Sequence, residues 1–168
     1  APMNNFCLLS CVGVALTLPV ALDAALAADL QTAPTPWRSL FNGKDLAGWD
    51  TYLSAPQGQQ NPLGLNNDPR GVFGVVNVDG APAIRVSGEI YGAITTKEEF
   101  ENFHIRGEYK WGEKRWPPRE NVGRDSGILY WCVGPHGAGS GAWMRSAECN
   151  IMERATGQFW SVAGSFID

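Results

Sequence analysis

The fold the sequence predicts is all-β, an antiparallel β-sandwich, and three observations predict it. No segment sustains the 3.6-residue apolar period of an amphipathic helix. Several short runs instead alternate apolar and polar residues or are apolar throughout, as strands with one or two covered faces do. Twenty glycines, eleven prolines and seven tryptophans in 168 residues argue against a helical bundle, because Gly and Pro break helices and Trp suits sheets and ligand surfaces. With 44% hydrophobic and 18% charged residues the chain can bury a core, which excludes wholesale disorder. The formal net charge is −4 and no basic run occurs, so the electrostatic footprint of a DNA or RNA binder is missing.

The N-terminal segment reads as a targeting signal. Residues 6–22 (FCLLSCVGVALTLPVAL) are apolar and uncharged, and Ala25-Leu26-Ala27 follows with a small-x-small cleavage pattern. Residues 1–28 are therefore expected to be a secretory signal peptide cut near 27–29, which implies a secreted or periplasmic protein. One feature departs from the usual signal, since no Lys or Arg precedes the apolar run. Pro19, Asp23 and the shortness of the run oppose a stable membrane span. Leu8-Leu9-Ser10-Cys11 resembles a lipoprotein box, but too little apolar sequence precedes Cys11. Cleavage would leave 140 residues with a net charge of −3, because Asp23 is the only charged residue of the leader. Cys132 and Cys149 would remain, either as a bridge between successive strands or as two buried thiols. No CxxC pair or His/Cys cluster marks a zinc site.

Residues 29–36 (DLQTAPTP) read as a linker, and 37–168 as the sandwich domain. Trp37–Trp49 mixes aromatics with Asn-Gly and Ala-Gly turn signals, as a strand entering a tight turn would. Residues 54–71 are a long Gly/Pro/Asn/Gln loop, and loops of that length are often functional. Strands are expected at Val72–Val78, Ala83–Ser87 and Gly92–Thr96. Phe103–Trp111 (FHIRGEYKW) alternates strictly and gives the clearest strand signal. Gly127–Val133 (GILYWCV), apolar on both faces, predicts a central strand. Met144–Glu153 and Gln158–Ala163 complete the series.

Candidate chemistry is concentrated between residues 97 and 160. Glu148 and Asn150 share a face in a regular strand, and one bulge would return Glu153 to that face. Glu148-x-Asn150-x-x-Glu153 resembles the catalytic strand of sandwich-fold retaining glucanases, with Asn150 in place of the middle acid. The alternative is two solvated strand carboxylates. Arg124 and Asp125 at a strand mouth can anchor hydroxyls or form a surface salt bridge. The glycine-rich loop 134–141 lacks the Gly-Lys-Ser/Thr ending of a phosphate cradle and presents His136 as a polar tip. Trp131, Trp143 and Trp160 are core residues or stacking platforms for sugar rings. The carboxylates and His136 could hold a divalent cation, but no spacing demands a metal and the cofactor is left unassigned.

The segments SLFNGKDLAGW (39–49), DPRGVF (68–73), GAITTKEEFENFHIRGEYKWGEKRWPPR (92–119) and RDSGILYWCVGPHGAGSGAWMRSAECNIMERATGQFW (124–160) resemble the 3-keto-disaccharide hydrolase family. The resemblance implies a concanavalin A-like lectin/glucanase sandwich (jelly roll) and a carbohydrate substrate already oxidised at C3. It implies glycoside cleavage by C2 proton abstraction, β-elimination and hydration. On that basis Glu148 is the first candidate base and Glu153 the second carboxylate. Lys97, Arg124, Asp125, Trp131, His136, Trp143 and Asn150 are candidates for binding substrate. The sequence departs from the family pattern at Trp131, Asn150, Arg154-Ala155 and Gln158, all near Glu148 and Glu153. A non-catalytic carbohydrate-binding sandwich is the alternative function. Because such a sandwich usually needs more chain than 37–168 supplies, a C-terminally incomplete domain is expected.

Overall fold

The computed structural model describes residues 4–8, as backbone, and residues 36–165. The rest of the expected leader and nearly all of the expected linker lie outside the described residues. Nine strands are described: β1 Asn4–Leu8, β2 Trp49–Leu53, β3 Gly64–Leu65, β4 Phe73–Val78, β5 Ala81–Val86, β6 Gly92–Phe100, β7 Gly127–Val133, β8 Arg145–Asn150 and β9 Phe159–Val162. Seven form one sheet in the order β3-β2-β6-β1-β7-β8-β9, and β4 and β5 form a separate hairpin. The pairings are antiparallel. The all-β antiparallel class read from the sequence is the class observed.

The family-like turn segments have backbone work to do. Asn42 Oδ1 accepts the Lys44 and Asp45 N–H groups, and Asp45 Oδ1 accepts that of Ala47, which folds the chain back. Trp49 can then bury its ring and donate its indole N–H to the Leu40 carbonyl at 3.1 Å. Asp68 accepts the N–H groups of Val72 and Phe73 at 2.9 and 2.8 Å, fixing where β4 begins.

Two apolar clusters lie on opposite faces of the large sheet. On one face Trp49, Leu53 and Ile94 from β2 and β6 pack with Val72, Phe73 and Ile90, against Ile84 and Val86 of the hairpin. On the other, Ala93, Leu129, Cys132 and Met144 pack together with Trp143 and Val162. The β7–β8 connection covers this second face. Gly139 fits against Trp143 and Val162 so closely that a Cβ there would lie 2.5 Å from the Trp143 ring.

The expected strand Phe103–Trp111 is corrected by the structure, which gives this stretch no ladder with another described strand. Its alternation survives only in part, with Phe103, Ile105 and Trp111 half-buried but Gly107 and Tyr109 exposed like the even positions. Periodicity reports which side is covered, and a ladder with the described strands does not follow from it. Gly127–Val133 is β7 as expected and lies inside the sheet between β1 and β8. Strand β1 comes from within the expected leader and pairs with both β6 and β7.

The bulge that would return Glu153 to the face of Glu148 does not occur in β8. The register shift lies instead in β7 between Tyr130 and Val133, where Trp131 has φ of +54°. β8 ends at Asn150, whose N–H donates to the Gln158 carbonyl while its carbonyl accepts from Gly157. In the turn that follows, Arg154 is held at φ of +70° and is exposed. A non-glycine residue is strained there by its Cβ. Arg154→Gly should therefore stabilise the protein by roughly 0.5–1 kcal/mol after the greater freedom of the unfolded glycine chain is counted. Chemical denaturation measures this as a shift in midpoint at constant slope.

Candidate active site

Glu148 lies in the middle of β8, with Leu129 of β7 on one side and Trp160 of β9 on the other. Cross-strand partners share a face, so Glu148 stands on the face that carries Leu129 and the second apolar cluster. Its side chain leans over the start of β7. A Cβ on Gly127 would lie 2.1 Å from Glu148 Oε1 and 2.7 Å from Cγ. Glycine at 127 is therefore what leaves room for the carboxyl arm. Asn150, the cross-strand partner of Gly127, is buried at 4% exposure on the same face.

Burial, reinforced by the negative charge of Asp125, raises the Glu148 carboxyl from 4.5 to about 7. Removing water penalises the carboxylate form, and a like charge penalises it further. Asp125 is itself held by Arg119 at 3.4 Å. Arg119 also donates to the Gly123 carbonyl at 2.7 Å, and its buried Nε has no partner.

Glu153 belongs to a different constellation. It accepts the Arg124 backbone N–H at 2.8 Å and the Arg124 Nε–H at 2.9 Å, with a further close contact from Arg124 Nη2. Arg115 Nη2 lies 3.2 Å from Oε2, which also accepts the Arg124 backbone N–H. The hydrogen bonds from Arg124, with the charge of both guanidiniums, lower its carboxyl from 4.5 to about 2. Arg124 also contacts the Gly112 carbonyl and sits 5.6 Å from the Trp111 ring centroid. This cluster ties the stretch before β7 to the turn after β8.

His136 is brought to the far end of the same face. Its ring stacks on Tyr52 of β2 with centroids 5.5 Å apart, and its Nδ1 is buried without a partner. Burial lowers the imidazole below its ordinary value, and the nearby Asp50 opposes the shift. Lys97 Nζ is 3.5 Å from Asp50. Four strand steps separate β2 from β8, which at the usual spacing is roughly 19 Å. His136 and Lys97 thus form one polar group and Glu148 with Asp125 another. Trp143 is half-buried against Tyr91 at 6.1 Å, a wall of the loop rather than an open platform. Trp131 is 43% exposed and packs edge-on against Tyr130 at 5.2 Å.

Tyr52, Asp50 and Gly127 were not singled out by the sequence reading. A glycine heading an otherwise apolar strand was the available signal for Gly127. Cys132 is buried and Cys149 exposed, and both are free thiols. Among the described residues no group of three or more His, Cys, Asp or Glu could hold a metal ion. Also among the described residues, no helix is long and apolar enough to cross a membrane.

Fold and site together define an all-β protein with one carboxylate brought to neutral titration on a sheet face. The 3-keto-α-glucoside-1,2-lyase-like domain family matches residues 36–168, and the chain belongs to that family. No curated protein and no solved structure matches it.

The raised Glu148 value has a consequence for stability that does not depend on function. A carboxyl raised from 4.5 to about 7 on folding contributes stability that is full below 4.5 and lost as pH rises through 7. Glu148→Gln stays neutral at every pH. Its stability relative to the parent should therefore increase between about pH 5 and about pH 9, by roughly 1–2 kcal/mol once partial solvent screening is allowed for. Thermal melts of both proteins across that range measure it.

Proposed function

We propose that this protein cleaves 3-keto-glycosides by elimination followed by hydration, with Glu148 as general base. Membership of a lyase-like family supports the reaction class. The observation that carries the reading is a half-buried carboxyl raised to about 7, a value suited to moving a proton near neutral pH. A ketone at C3 acidifies the C2–H bond. The Glu148 carboxylate takes that proton, and the electron pair delocalises onto the C3 oxygen as an enolate. Collapse of the enolate forms the C1–C2 double bond and breaks the C1–O bond. The departing oxygen is protonated from the Glu148 carboxylic acid or from water, giving an alcohol. Water then adds across C1=C2 and completes net hydrolysis.

Asn150 shares the face of Glu148 and is paired with Gly127, over which the carboxyl arm lies. We assign its amide to the substrate oxygens beside C2. Glu153, with its oxygens engaged by Arg124 and Arg115, serves as a clamp for the segment before β7. The apolar run 6–22 and Ala25-Leu26-Ala27 support export as the setting of this activity.

The test is loss of a 3-keto-glucoside and release of its leaving group, followed chromatographically. kcat/KM should rise with pH along a limb near 7, where Glu148 ionises. Glu148→Gln should cost about 10²–10⁴-fold in kcat. Turnover unaffected by that change, or sugar binding with no turnover at any enzyme concentration, overturns the reading, and the second result favours a carbohydrate-binding module. Asp125→Asn removes the like charge beside Glu148, so the rising limb should move to lower pH. A limb that stays in place or moves upward would break the link between Asp125 and the base.

A further inference from the structure

β9 pairs with β8 so that Trp160 stands directly opposite Glu148. Side chains facing one another across an antiparallel pair lie on one face with Cβ atoms about 4.5–5.5 Å apart. Val162, two residues along and therefore on the same face, packs against the apolar cluster under the β7–β8 loop. Trp160 shares that face but not that burial. Its side chain is 53% exposed, although an indole is among the largest apolar surfaces a protein has to cover. The adjacent Phe159, on the reverse face, does not compete for the same space.

The Glu148 arm leans over Gly127 of β7 and so away from β9. The carboxyl arm over β7 and Trp160 on β9 therefore lie on the two sides of β8, their backbones about 10 Å apart, two strand spacings. One pyranose ring over the carboxyl does not reach the indole, but a second ring joined to it does. The C–H edges of a sugar ring carry partial positive charge and suit the negative face of an aromatic system.

We propose that Trp160 is the platform for the leaving-group ring, selecting 3-keto-glycosides whose leaving group is itself a sugar over those with a small alcohol. This rests on the reading of Glu148 as the base. With C2 of the oxidised ring above Glu148, the ring attached through C1 crosses β8 and lays its apolar face on the indole.

The experiment compares kcat/KM on a 3-keto-disaccharide and on the methyl 3-keto-glucoside for the parent, Trp160→Ala and Trp160→Phe. The ratio of disaccharide to methyl glycoside should fall roughly tenfold in Trp160→Ala, through KM, and be largely retained in Trp160→Phe. A ratio unchanged in Trp160→Ala overturns the proposal, whether both substrates lose activity equally or neither does. Calorimetric titration of Glu148→Gln, with and without Trp160→Ala, using the same 3-keto-disaccharide separates the two readings. Binding weakened by loss of Trp160 in a protein that never turns over retains the platform and removes the enzyme. Turnover with binding indifferent to Trp160 retains the enzyme and removes the platform. Thermal melts check that each variant is folded.

Discussion

The site depends on half-burying the Glu148 carboxyl over a position of β7, Gly127, that carries no side chain. Gly127 supplies the gap, the β7–β8 ladder fixes the diagonal between the two residues, and Asp125 adds a like charge at the mouth. Each of these acts against the ionised form. None requires a cation or a dedicated hydrogen bond. The base is tuned by what its surroundings withhold, and this makes the register of β7 against β8 as much a part of the site as the carboxyl itself.

Two glutamates five positions apart show how far local surroundings separate like residues. Glu148 is raised to about 7 and Glu153 lowered to about 2. The first sits among uncharged strand neighbours, and the second receives two arginines and a backbone N–H. A group poised to change protonation near neutrality suits proton transfer, whereas one held ionised suits fastening. The clamp at Glu153 fastens residues 112–124, and through them the Arg119–Asp125 contact that bears on Glu148. The two acids are connected mechanically, with only one in a state to exchange a proton.

The sheet was legible where a run carried both a strand pattern and sharp turn signals at its ends. GILYWCV is β7 to the residue, and the strands expected at Val72, Ala83 and Gln158 appear within two residues of their limits. FHIRGEYKW shows what such patterns omit, because alternation does not say which strand a run pairs with, and this one forms no ladder with the described strands. Glu148 was legible as the leading acid. Asp125 was named only as a hydroxyl anchor and Gly127 not at all, because their effect on Glu148 appears only once the β7–β8 ladder is formed. His136 and Lys97 were named as substrate-binding candidates, but where they lie relative to Glu148 is a matter of strand order. No short-range pattern in the sequence encodes that order.

Strand order also gives the N-terminus a second meaning. Asn4–Leu8 lies between β6 and β7 and bonds to both, yet it falls within the segment read as an export signal. If that segment is cut near residues 27–29, the scissors remove a rung from the middle of the ladder rather than a tag from its end. β6 and β7 would then each present a row of unpaired N–H and C=O groups, a template for any extended chain that reaches it.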